Sequence, residues 1–115
     1  MSRDPLLYLE DILEACDKIH RYVEGVADEA LVKDSMRFDA VVRNIELIGE
    51  AARQVPESIR AAMPQVPWRE MIGMRNILVH GYFGIDPDVV CNVAQTKVEL
   101  LADAVKKYLE ANRLG

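Results

Sequence analysis

Between Arg75 and Tyr82 the chain reads Arg-Asn-Ile-Leu-Val-His-Gly-Tyr, so a guanidinium, an amide, an imidazole and a phenol fall within eight residues beside an apolar run. Arginine supplies a permanent cation whose planar fork of donors matches phosphate oxygens. Histidine gives or takes a proton near neutral pH. The pair suits phosphoryl chemistry without a metal, with Arg75 to hold charge on a crowded phosphate and His80 to move the proton, and a third residue, Asn76, could position a phosphate oxygen or the imidazole. On a helix, residues five apart are separated by about 140° of rotation and about 7.5 Å of rise, so Arg75 and His80 do not stack. Asn76 and His80, four apart, do. Gly81 reads as the residue beyond a helix C-terminus, which puts His80 in the last turn, where the helix dipole favours the imidazolium. The plainer alternative is that Arg75 pairs with Glu46 or Glu70 and His80 only closes a helix end.

Helices must position these groups. Asp4-Pro5 carries a capping carboxylate followed by a proline at the first helical position, and Leu6, Leu9, Leu13, Cys16, Ile19 and Val23 then recur at three- and four-residue spacing up to Gly25. His20 lies on this helix with no second polar group beside it and reads as a partly exposed or hydrogen-bonded residue. Asp28 to Lys33 predicts a short helical turn, with Asp34 or Ser35 capping a long helix from Met36 through Phe38, Val41, Ile45, Ile48 and Ala52 to about Val55. Gly49, Ala51 and Ala52 let a neighbouring helix approach. On the same helix Glu46, with Arg43 three residues earlier, reads either as a solvated charge or as a carboxylate orienting Arg75.

Pro56, Pro64 and Pro67 make a stiff crossover holding a short helix, Glu57 to Met63. The next helix opens at Pro67-Trp68-Arg69-Glu70 and runs to His80. Asp86-Pro87-Asp88 repeats the capping pattern and starts the last helix, with Val90, Ala94, Leu101, Val105 and Tyr108 as its buried stripe. No strand-like alternation is present. The expected fold is all-α: an antiparallel four-helix bundle with one or two short extra helices, residues 1–115 forming one domain.

Composition narrows the function. The 115 residues are 50% hydrophobic and 29% charged, as in an ordinary globular protein. No apolar run reaches membrane-spanning length, and the opening residues lack a signal-peptide layout, so no membrane partner and a cytoplasmic location are expected. Cys16 and Cys91 lack C-x-x-C spacing and read as buried, reduced thiols. With two histidines, a histidine-rich metal centre is not expected, nor any cofactor, although a carboxylate-bound magnesium stays open. The net charge of −5 counts against a broad nucleic-acid-binding surface. An enzyme acting on RNA needs only a local cationic cleft, and Arg37, Arg43, Arg53, Arg60, Arg69 and Arg75 cluster mid-chain, permitting a basic strip.

The segment Arg75 to Tyr82 resembles the R-x4-H-x-Y motif of the HEPN ribonuclease superfamily, in its HepT-like branch. Its companions are Pro67-Trp68-Arg69-Glu70, Tyr82-Phe83-Gly84-Ile85-Asp86, and Arg43-Asn44-Ile45-Glu46-Leu47-Ile48-Gly49-Glu50-Ala51-Ala52, so the resemblance spans nearly the whole chain. It implies a helical bundle acting as a metal-independent endoribonuclease toxin, a homodimer with its site at the dimer interface, and RNA as substrate. It further implies a cognate minimal nucleotidyltransferase antitoxin, MntA-like, that transfers AMP from ATP to Tyr82. The alternative from the same resemblance is a non-catalytic partner that docks a minimal nucleotidyltransferase and helps it hold substrate.

Overall fold

Three aspartates set where the chain begins to coil. Asp4 Oδ1 accepts from the Leu6 amide at 2.9 Å, Asp34 Oδ1 from the Arg37 amide at 3.1 Å, and Asp86 Oδ1 from the Asp88 amide at 3.0 Å. Each satisfies an amide that a helix start leaves without a partner, and Pro5 and Pro87 follow where a missing donor costs nothing. In the computed structural model, residues 3–80 and 85–113 are described, with side chains over 3–74 and 85–112. The elements are α1 (Pro5–Val23), α2 (Asp28–Lys33), α3 (Ser35–Gln54), α4 (Glu57–Ala61), α5 (Trp68–His80), α6 (Pro87–Asn92), a π-helical segment (Val93–Lys97) and α7 (Val98–Arg113). The fold is all-α, as the periodicity requires, and no strand occurs among the described residues.

The long helices pack in a chain of neighbours, α5 on α3, α3 on α1, and α1 on α7. Leu9, Ile12, Ile19, Val41, Ile45, Ile48, Leu101 and Val105 meet in one core, each at most 1% exposed. Burial of such side chains is what stabilises helices of this length, since isolated helices are marginal in water. Gly49, Ala51 and Ala52 are buried on α3, as their small size predicts. Met36, expected to open the apolar stripe of α3, is instead 84% exposed. It falls in the first turn, where Arg37 takes the anchoring role: Nη1 donates to the Tyr22 carbonyl at 2.6 Å and Nε to Asp34 Oδ2 at 3.1 Å, tying the start of α3 to the end of α1.

The last helix departs from the expected regular stripe. Within Val93–Lys97 the helix widens, and the Val98 amide donates to the Val93 carbonyl five residues back. Widening frees carbonyls from their usual partners. Thr96 Oγ1 donates to the Asn92 carbonyl at 2.6 Å, and Gln95 Nε2 reaches the Val26 carbonyl at 3.3 Å. The buried line accordingly runs Val90, Ala94, Val98, Leu101, Val105, Leu109, while Tyr108 is only half-buried. Gly25, at φ +71°, makes the turn after α1 in a conformation that favours glycine.

Candidate active site

Helix α5 is built from its N-terminus. Trp68 is buried, and its indole Nε1–H donates to the Met63 carbonyl at 3.1 Å, so the proline-bounded crossover and the first turn of α5 are held together. Met71 and Met74 are buried on the same side, whereas Arg69 and Glu70 are exposed. The Trp and methionines are thus core residues of the bundle, as read from their spacing.

The helix is unbroken through His80, which fixes the register of the motif. Position 75 lies within about 60° of positions 68 and 71, the line that faces the bundle. Positions 76 and 80 fall within about 60° of positions 69 and 73, on the outward stripe. Arg75 and His80 therefore occupy different sides of α5, and Asn76 and His80 one side. The side chains of Arg75, Asn76 and His80 lie outside the described residues, as does Tyr82 altogether.

On α3, Glu46 and Arg43 are brought together: Arg43 Nη1 sits 3.7 Å from Glu46 Oε2, with the glutamate side chain 24% exposed and the arginine mostly in solvent. Glu46 is therefore neither a freely solvated charge nor without a partner on its own helix. Just before it, Asn44 is the buried polar residue of α3, its Nδ2 donating to the Ala40 carbonyl at 2.9 Å. It lines an open groove of about 730 Å3 between α1 and α3 together with Tyr8, Lys18, Glu50 and Arg53.

The mid-chain arginines do not make a continuous strip of free cations. Arg37, Arg43 and Arg60 each pair with a carboxylate three residues away, Asp34, Glu46 and Glu57. Such i,i+3 pairs are the ordinary consequence of helical spacing. Arg69 has no ion pair among the described residues, and it shares the outward stripe of position 80. The spacing of eleven between Arg69 and His80 could have signalled this relation from the sequence.

The two thiols take no part. Cys16 and Cys91 are both buried and unpaired, and burial pushes the Cys16 thiol up to about 12 and raises that of Cys91. Thiols held protonated in this way are poor nucleophiles.

Residues 12–108 match the sequence pattern of the family described as Ribonuclease HepT-like. The chain belongs to the HepT-like ribonuclease family. It is 35% identical, over 96% of its length and 99% of the relative's, to a protein of Caldanaerobacter subterraneus subsp. tengcongensis assigned as an RNase. It is 36% identical over 95% of its length, and 96% of the relative's, to a protein assigned as an RNase in Methanocaldococcus jannaschii. A protein of Thermococcus cleftensis assigned as ribonuclease HepT is 36% identical over 93% of this chain and 97% of its own. No solved structure matches the chain.

Proposed function

We propose that this HepT-like chain is a metal-independent endoribonuclease, working as a homodimer whose paired α5 helices form one RNA-binding cleft. The observation that carries the reading is the placement of Arg75, Asn76 and His80 in the last turns of one unbroken helix, inside the span matched by the ribonuclease family.

Cleavage without a metal needs a base for the 2′-hydroxyl, an acid for the leaving oxygen and a cation for the phosphate. One protomer offers a single imidazole, and positions 75 and 80 fall on different sides of the helix. Two-fold pairing brings a second copy of each and completes the set. In this mechanism one His80 imidazole takes the 2′-hydroxyl proton and the 2′-oxygen attacks phosphorus. Arg75 neutralises the charge that develops on the phosphorane oxygens, with Asn76 positioning a phosphate oxygen. The P–O5′ bond breaks as the second imidazole, already protonated, gives its proton to the leaving oxygen. The products are a 2′,3′-cyclic phosphate and a 5′-hydroxyl, so bonds and protons balance. Glu46, half-buried on the helix that packs against α5, orients Arg75 as well as meeting Arg43.

Tyr82, two residues past His80, is the acceptor of AMP from a minimal nucleotidyltransferase antitoxin. An adenylyl phosphate on its phenol would bring negative charge to the arginine end of the cleft and occupy the place of the RNA phosphate. The chain is thereby a toxin silenced by modification.

The test is expression of the chain alone beside His80→Ala and Arg75→Ala, scoring growth arrest and RNA breakdown. Arrest with RNA loss in wild type only is expected. Toxicity that survives both substitutions removes the ribonuclease reading. No toxicity from any of the three favours a non-catalytic docking partner of a nucleotidyltransferase. For the tyrosine, the Tyr82 peptide should gain the mass of AMP on incubation with the nucleotidyltransferase and ATP, and an unchanged mass refutes that part.

A further inference from the structure

Along the outward stripe of α5, three observations point to one ligand. Arg69 is exposed and carries no ion pair among the described residues. It lines, with Arg60, Trp68 and Ile72, a groove of about 410 Å3 between α4 and α5. Arg60 is weakly neutralised there: Glu57, itself 91% exposed, approaches one terminal nitrogen at 3.6 Å, and the buried Nε has no hydrogen-bond partner. One turn beyond Arg69 on the same stripe stands Gly73, where an added Cβ would meet no described atom within 4 Å. A glycine inside a helix lowers its stability relative to alanine, and nothing in the described chain needs the space.

We infer that Arg69, backed by Arg60, is a phosphate-binding subsite for single-stranded RNA, the strand running over the bare backbone at Gly73 toward His80. The inference rests on the ribonuclease reading and adds to it a substrate-positioning residue outside the R-x4-H motif. Eleven residues of α-helix separate Arg69 from His80, about 16 Å along the axis. That is roughly the rise of five stacked nucleotides of one strand. A guanidinium with no ion pair among the described residues, at that distance, holds the strand by a charge-assisted contact to a backbone phosphate, which carries no base preference. Low bulk at Gly73 lets the sugar-phosphate chain lie close to the helix between the two ends.

The experiment is steady-state cleavage of single-stranded RNA by the full chain, comparing wild type with Arg69→Ala, Arg69→Glu and Arg69→Lys, with oligomeric state measured in parallel. Arg69→Ala should raise KM roughly tenfold with kcat unchanged, and Arg69→Glu should raise it further. Arg69→Lys should restore most of the affinity. The slope of log affinity against log salt, measured on the His80→Ala background with uncleaved RNA, should fall by about 0.7 on removing this one contact. RNA trimmed to fewer than about five nucleotides on the Arg69 side should bind wild type and Arg69→Ala equally. Active wild type with unchanged KM and salt slope in Arg69→Glu overturns the subsite while leaving the ribonuclease reading in place. A loss confined to kcat, or a variant that dissociates the dimer, also overturns it, the latter assigning the stripe to a second copy of the chain. Wild type that cleaves no RNA sinks the ribonuclease reading and the subsite together.

Discussion

The indole nitrogen of Trp68 donates to the carbonyl of Met63 at 3.1 Å, fastening the head of α5 to the crossover between the prolines. The contact is buried, and its loss leaves the Met63 carbonyl with the Val66 amide, which also donates to it at 3.1 Å. Trp68→Phe should lower unfolding free energy by about 0.5–1.5 kcal/mol in urea titration. It should also weaken RNA cleavage, because the register of the motif is set from that end of the helix. Unchanged stability would mean that the crossover does not depend on this bond.

Two glycines should respond to alanine in opposite directions. Gly25 has φ +71°, which costs a side chain roughly 1–2 kcal/mol, so Gly25→Ala should destabilise. Gly73 is helical, with open space around its missing Cβ, so Gly73→Ala should stabilise by about 0.5–1 kcal/mol. Thermal unfolding of the two variants beside wild type checks both signs, and destabilisation by Gly73→Ala would show that the space is filled within the fold.

The buried Cys16 thiol has a stated pH window. In the folded chain it ionises only at about 12, against an ordinary value of 9.0. The unfolded state therefore loses this proton first, and stability should fall as pH rises from 9.0 toward about 12. Below 9.0 both states hold the proton and Cys16 contributes no slope. Cys16→Ala should flatten that alkaline limb while costing stability at neutral pH through the cavity it leaves. Native protein should also resist thiol-alkylating reagents until denaturant is added, and rapid labelling of Cys16 without denaturant would contradict its burial.

Helix starts were legible because Asp4, Asp34 and Asp86 bring their own chemistry to the position they mark. The all-α class was legible because Leu9, Ile12, Cys16 and Ile19 keep one period. The π-helical segment was not, because a step from Ala94 to Val98 looks the same in an α-helix, and only the hydrogen bonds of Thr96 and Val98 distinguish the two. Met36 misled for a related reason: its position in the period is apolar, but in the first turn no neighbouring helix yet covers it. At the candidate site, the sequence puts Arg75, Asn76 and His80 on the last turns of one helix, and α5 runs through all three positions. Ion pairing was not announced, and it separates Arg69 from Arg37, Arg43 and Arg60.

Dependence on two protomers can be read by poisoning. The doubly substituted chain, Arg75→Ala with His80→Ala, should be inactive yet still pair with wild type. Co-refolding a fixed amount of wild type with increasing doubly substituted chain should reduce total cleavage in proportion to the wild-type fraction of the mixture, since a mixed dimer lacks one imidazole and one guanidinium. Activity that tracks the amount of wild type alone would place a complete site within each protomer.

The most direct measurement is cleavage of a defined single-stranded RNA by purified chain in the presence of a chelator, with the new 3′ ends identified. Wild type should produce 2′,3′-cyclic phosphate ends, and His80→Ala should lose roughly 100- to 10,000-fold in rate, the usual contribution of a positioned proton-transfer group. Cleavage that persists at full rate in His80→Ala, or that stops when divalent cations are removed, would contradict the account.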